Sequence, residues 1–146
     1  MKHTNNGNCP KCKEIMDEYP GLHVLIRDWF TRMQSETPEF HCADAGRGYL
    51  EQETYFKRRA SNAHYGQSAH NWNCAIDTFF MFSGIYSVDL HHYVKNIEEH
   101  IPEWIQWGHN WASFKETPHF ELKAWKMLRD SGELKLVEEH FDNSIS

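Results

Sequence analysis

Residues 59–80 read RASNAHYGQSAHNWNCAIDTFF, and the fold is decided inside this stretch. Its first half, rich in Ser, Asn, Gly and Gln, suits a loop, whereas Cys74 to Phe80 is an apolar run of strand length. Asp77 interrupts that run. An unpaired carboxylate in a half-buried strand is costly to desolvate, so Asp77 requires a partner. A metal ion shared with His70 would supply one, and His119, inside FKETPHFEL at 114–122, is a third candidate ligand.

Upstream, Leu22, Leu25, Ile26, Trp29, Phe30 and Met33 recur at three-and-four spacing, which predicts a core-facing helix over 20–35. Glu36-Thr37-Pro38 breaks it. A short strand from Glu39 to Ala43 is expected next, then the turn Asp44-Ala45-Gly46-Arg47-Gly48 and a helix over 49–59. Downstream, Gly84 ends the central strand and a helix is expected from Asp89 to Glu99. Weak alternation over Trp104–Trp107 predicts a strand, Gly108-His109-Asn110 a turn, and Phe120–Leu122 a last strand. Helix is expected over Lys123–Asp130, stopped by Gly132, and again near Glu133–Phe141. Few short strands mixed irregularly with helices give the expected class: α+β, a small mainly antiparallel sheet with packed helices, in a single domain. Residues 1–38 form a polar segment and helix packed on a core spanning 39–146.

The bulk properties agree with a packed domain. A chain of 146 residues can bury roughly 70% of its unfolded surface, and 40% hydrophobic content supports a core. The net charge of -6 and the lack of long basic runs exclude nucleic acid and anionic membrane as primary partners. The polar N-terminus is neither a secretory signal nor a membrane span, so synthesis in a cytoplasm is expected, with any outside role depending on another release route. Cys9-Pro10-Lys11-Cys12 has the spacing of half a zinc knuckle; without a second pair, reduced structural cysteines are the expected reading. His41 and His64 are read as structural, and His91, His92, His100 and His140 as facing solvent.

Two His and one carboxylate suit a catalytic zinc because they leave one tetrahedral position open. His70 and Asp77 are seven residues apart, two turns if helical, so they share an ion only if the intervening loop folds His70 back. Glu116, three before His119, can take a proton from water and pass it to a leaving amine. Arg47, on a turn flanked by glycines, is placed to hold a substrate carbonyl or carboxylate as a fixed cation.

Ser68-Ala69-His70 followed by Asp77, and then Glu116-Thr117-Pro118-His119, resembles the signature of zinc peptidases that include VanY-type D-alanyl-D-alanine carboxypeptidases and phage L-alanyl-D-glutamate endopeptidases. The segment Asp44–Gly48 with Gln52 is similar to the family's arginine-bearing segment, and residues 107–122 resemble a block of the phage branch. The likeness spans about residues 39–125. It implies one zinc per chain on His70, Asp77 and His119, Glu116 as base, Arg47 as electrophilic or binding residue, and Ser68 and Gln52 as support or substrate contacts. His109 stands where the branch usually has a second glycine, so it either alters that turn or faces the cleft, and Glu116 stands where the branch often has aspartate.

The resemblance implies a monomeric peptidase acting on the peptide stem of bacterial peptidoglycan, at the L-alanyl-D-glutamate bond, as an endolysin reaching the wall after release. A D-alanyl-D-alanine carboxypeptidase or dipeptidase and a non-catalytic zinc-stabilised virion protein remain alternatives. Three ligands plus an intact Glu116 weigh against the last, because structural zinc sites fill all four positions with protein.

Overall fold

The computed structural model describes residues 1–138. Its helices are α1 (Pro10–Asp17), α2 (Val24–Glu36), α3 (Tyr49–Lys57), α4 (Leu90–Asn96) and α5 (Trp125–Asp130). Its strands are β1 (Phe40–Asp44), β2 (Ala75–Phe82), β3 (Ile85–Ser87), β4 (Ile105–Trp107) and β5 (His119–Leu122). The strands form one sheet in the order β1-β2-β5-β4, with β3 folded back onto β2, and every pair is antiparallel. The class is α+β, as the sequence predicts.

Alternation along the strands gives the sheet two different faces. One carries Phe40, Phe80 and Phe120, and against it α2 lays Ile26, Trp29, Phe30 and Met33, all buried. The rings interlock: Phe30 and Phe40 have centroids 5.3 Å apart, Phe40 and Phe80 5.4 Å, and Trp29 and Phe120 5.0 Å. Burying such side chains contributes about 1.5–3 kcal/mol each, which makes this face the main source of stability. The opposite face carries His41, Asp77, Phe79, His119 and Glu121. The sheet is thus a rigid plate with its apolar side against helices and its chemistry on the other.

Several elements depart from the sequence expectation. Strand β2 ends at Phe82, just before Gly84 as expected, but Ser83 and Gly84, both at positive φ (51° and 79°), turn the chain back into the strand β3, a hairpin that the sequence reading lacked. Helix α1 was not anticipated; it starts at Pro10, where no N–H is needed, and buries Cys12 and Met16. The helix expected from Asp89 to Glu99 ends at Asn96 and is followed by a 3-10 turn at Glu98–His100. The helix expected near Glu133–Phe141 is absent over 133–138, and its remainder lies outside the described residues. There the Val137 N–H bonds to Asn71 O (2.7 Å) and Tyr65 OH bonds to Val137 O (2.9 Å), so tertiary partners take the backbone groups that a helix would use.

Candidate metal centre and cleft

Strand register brings the candidate ligands together. Asp77 on β2 is the direct partner of His119 on β5, and Asp44 on β1 flanks Asp77 from the other edge. His70 arrives from the 3-10 turn Ala69–Trp72, which Ser68 caps by accepting the His70 N–H at 3.2 Å. Asn73 at φ 60° then reverses the chain into β2, folding His70 back over Asp77 as the sequence argument required. The result is a triangle: His70 Nε2, His119 Nδ1 and Asp77 Oδ1 lie 3.1 Å from one another on every side.

The outer atoms of both imidazoles determine what points inward. His70 Nδ1 faces Ala45 O, a pure acceptor, so it carries the hydrogen and Nε2 presents a lone pair. His119 Nε2 donates to Glu121 Oε1 at 2.7 Å, which turns Nδ1 toward the triangle. Glu121 is itself held by Trp125, whose Nε1–H donates to Oε2 at 2.8 Å. Three electron-pair donors therefore converge with at most one proton among them, and a divalent cation satisfies that arrangement. Two His and one carboxylate, each oriented by an outer hydrogen bond, fit zinc.

The electrostatics follow from burial and these contacts. Burial, helped by the Arg47 cation, lowers His70, so its ring is neutral. Burial opposes charge on His119 as well, but the hydrogen bonds it donates to Asp77 and Glu121 outweigh it and raise the ring to about 10. Burial would raise Asp77, yet the protonated His119, 3.1 Å from its Oδ1, holds it well below the usual carboxylate range. In the metal-free chain a proton on His119 thus occupies the role a cation would take.

Arg47 does not stand free in the cleft. Its Nη2 donates to Asp77 Oδ2 at 3.1 Å and lies 3.6 Å from Asp44 Oδ2, and Nη1 donates to Gln52 Oε1 at 3.3 Å. The guanidinium also sits 4.4 Å over the Tyr55 ring. Gln52 is fully buried and donates to Ser61 Oγ and Ala63 O, so its contacts are with the scaffold. Asn71 ties these parts together: its amide donates to Arg47 O at 2.9 Å and accepts from the Gly66 and Ser68 N–H groups.

Glu116 approaches from the loop between β4 and β5, with Oε2 3.6 Å from His119 Nδ1. Burial raises its carboxyl above the ordinary range, against the His119 charge. The loop closes on Gly108, whose carbonyl accepts the Glu116 N–H at 3.1 Å and where a Cβ would come 2.5 Å from Glu116 O. Two depressions meet at this point. One, of about 390 Å³, includes His70, His119, Trp111, Lys123 and Lys126 in its lining; the other, of about 1270 Å³, includes Asp77, Phe79, Tyr86 and Lys115. Arg47 and Glu116 line both. His109 packs on Trp107, bonds Thr117 Oγ1 at 3.3 Å and does not join the triangle.

No protein-family model and no curated protein matches the sequence. Among solved structures, the fold is similar to that of the L-Ala D-Glu endopeptidase ChiX of Serratia marcescens. The TM-score is 0.63 at 21% identity, over 84% of this chain and 90% of that one. The chain shares that protein's fold.

Glu121, Trp125 and Asn71 escaped the sequence reading. Glu121 had one available signal: two residues beyond His119 on a strand, it must share the face of that ligand. Asn71 had one local signal, its place three residues after Ser68 in a capping box, but its bonds to Arg47 O and Gln52 Oε1 reach elements remote in sequence.

Proposed function

We propose that this protein is a zinc-dependent peptidase that hydrolyses an amide in the peptide stem of bacterial peptidoglycan, the L-alanyl-D-glutamate bond, and serves as a phage endolysin. The observation that carries the reading is the triangle of His70, Asp77 and His119 with the Glu116 carboxylate beside it. The fold shared with an L-Ala D-Glu endopeptidase supports the substrate class.

A zinc ion held by the three side chains would polarise the scissile carbonyl and lower the pKa of a water. Glu116 accepts the proton of the attacking water and delivers it to the departing nitrogen; burial, which raises its carboxyl, makes it a better base than a solvated glutamate. Arg47 fixes the Asp77 carboxylate through Oδ2 and leaves Oδ1 facing the triangle. Trp111 walls one side of the cleft.

An internal cleavage needs a groove that continues past the reacting centre in both directions. Glu116 and Arg47 border a depression on each side, which favours an endopeptidase, and the Arg47 cation is already engaged with Asp77 rather than waiting for a terminal carboxylate. Lys123 and Lys126 on one side and Lys115 on the other suit the carboxylates of a stem peptide.

The test is digestion of purified peptidoglycan by the zinc-supplied protein, with fragments read by mass spectrometry. New N-terminal D-glutamate is expected. Release of free D-alanine alone would replace the endopeptidase with a carboxypeptidase, and an unchanged sacculus would remove the proposal.

A further inference from the structure

A second convergence of donors lies outside the cleft, where the N-terminal segment crosses the sheet. His3, Cys9, Cys12 and His41 bring two imidazole nitrogens and two sulfurs within 4.8 Å of one another. Three come from residues 3–12 and the fourth from β1. The sequence shows only half of the set, the Cys9/Cys12 pair; the fold supplies the imidazoles from six residues before Cys9 and from the neighbouring strand.

Three sulfur–nitrogen edges of the cluster have the length of a tetrahedral site, and the remaining ones lie within 4.8 Å. Zn–S and Zn–N bonds of about 2.3 and 2.0–2.1 Å at tetrahedral angles set S···N edges near about 3.5 Å. His3 Nδ1 is 3.5 Å from Cys9 Sγ and 3.4 Å from Cys12 Sγ, and His41 Nδ1 is 3.4 Å from Cys12 Sγ.

Hydrogen bonds around the cluster orient it toward a cation. Asn5 Nδ2 donates to Met81 O at 2.8 Å, which turns its Oδ1 to His41 Nε2 at 2.6 Å. That nitrogen must carry the hydrogen, so His41 Nδ1 presents a lone pair to Cys12. Cys12 Sγ also accepts from the Cys42 N–H at 3.2 Å and from Gln34 Nε2 at 3.3 Å, and Cys9 Sγ accepts from the Thr4 N–H at 3.4 Å. The Gln34 amide is fixed in turn, its Oε1 accepting the Cys9 N–H and its Nε2 donating to Phe40 O. The N–H donors aimed at sulfur offset part of the burial that pushes the Cys12 thiol up, and one thiol proton on Cys12 cannot serve two imidazoles.

We propose that His3, Cys9, Cys12 and His41 form a second, structural zinc site that clamps the N-terminal segment to β1. Binding is balanced by loss of the two thiol protons to solvent as both sulfurs ligate. Four protein donors leave no position for substrate, so the site stabilises rather than reacts. Residues 1–8 have no regular secondary structure, and Met1, Lys2 and His3 line the larger depression beside Asp77, so the clamp also shapes one wall of the cleft. Asp77, two residues from the His41 partner Phe79 on β2, ties the two sites to one strand.

Cobalt distinguishes this site from the triangle, which contains no sulfur. The full chain, stripped of metal and reconstituted with Co2+ alone, is expected to show the near-ultraviolet thiolate-to-cobalt charge-transfer band. The band should persist in a His70→Ala/His119→Ala chain and vanish in Cys9→Ser/Cys12→Ser. Zinc content should be two per chain in the unaltered protein and one in either double variant. If Cys9→Ser/Cys12→Ser does not fold, His3→Ala serves instead, with an expected loss of at least about tenfold in Co2+ affinity at the sulfur site. Absence of the band in the unaltered protein, its survival without Cys9 and Cys12, or unchanged affinity in His3→Ala would each overturn the proposal.

Discussion

Asp77 and His119 face each other across the β2–β5 ladder, with Oδ1 3.1 Å from Nδ1. This one rung couples the sheet to the site: any change in register between the two strands moves a ligand to the wrong face. It also sets the proton balance. Burial opposes charge on His119, but Asp77 and Glu121 hold it at about 10, so the metal-free chain keeps this ring protonated at neutral pH. A cation must expel that proton, and apparent zinc affinity therefore rises with pH. In the metal-free chain the raised pKa contributes stability that is intact below 6.5 and is lost as pH rises through about 10. Imidazole NMR is expected to show His119 charged at pH ~7 without metal and neutral after zinc is added. A neutral ring in the metal-free chain would contradict this.

Arg47 and Glu121 act on the site through the ligands they hold. Arg47→Lys loses the planar fork that joins Asp77 to Gln52. Glu121→Gln can accept from His119 or from Trp125 but not from both, because the amide nitrogen accepts nothing. Each is expected to weaken zinc binding by about 10–100-fold, measured by competition with a chromophoric chelator. Unaltered affinity in both would mean these contacts do not orient the ligands.

Glu116→Gln removes the proton carrier and none of the three ligands. The expected outcome is retained zinc and fold with hydrolysis reduced by about 10²–10⁴-fold, read as kcat on a stem-peptide substrate. Wild-type turnover in this variant would assign the base elsewhere.

Gly108→Ala tests the loop that carries Glu116. A methyl group there would come 2.5 Å from Glu116 O and 3.1 Å from His119 Cβ, so the backbone must shift. Because small misplacements of catalytic groups can cost up to about 10²-fold, kcat should drop while zinc is still bound. Equal losses of zinc and activity would mean the shift reaches His119 instead.

Much of this site is legible in the chain because Asp77 is an anomaly in an apolar run and His119 follows Pro118 into another strand. Local patterns also reveal α2, whose periodicity is strong, and the four strands of the main ladder, of which Ile105–Trp107 shows only weak alternation. What escaped depends on long-range contact. The β3 hairpin needs two adjacent residues at positive φ, of which only Gly84 signals a turn. Val137 looks helical by pattern but spends its N–H on Asn71. His3 and His41 look like ordinary histidines until α1 and β1 bring them to Cys9 and Cys12. Arg47 reads as a cation for substrate, whereas its closest anion is Asp77, 30 residues away.

The most direct measurement is anomalous diffraction at the zinc edge from crystals grown with zinc supplied. The account predicts a peak enclosed by His70 Nε2, Asp77 Oδ1 and His119 Nδ1, within bonding distance of all three. Zinc-supplied crystals with no scatterer between those atoms, or with the two imidazoles turned apart, would contradict it.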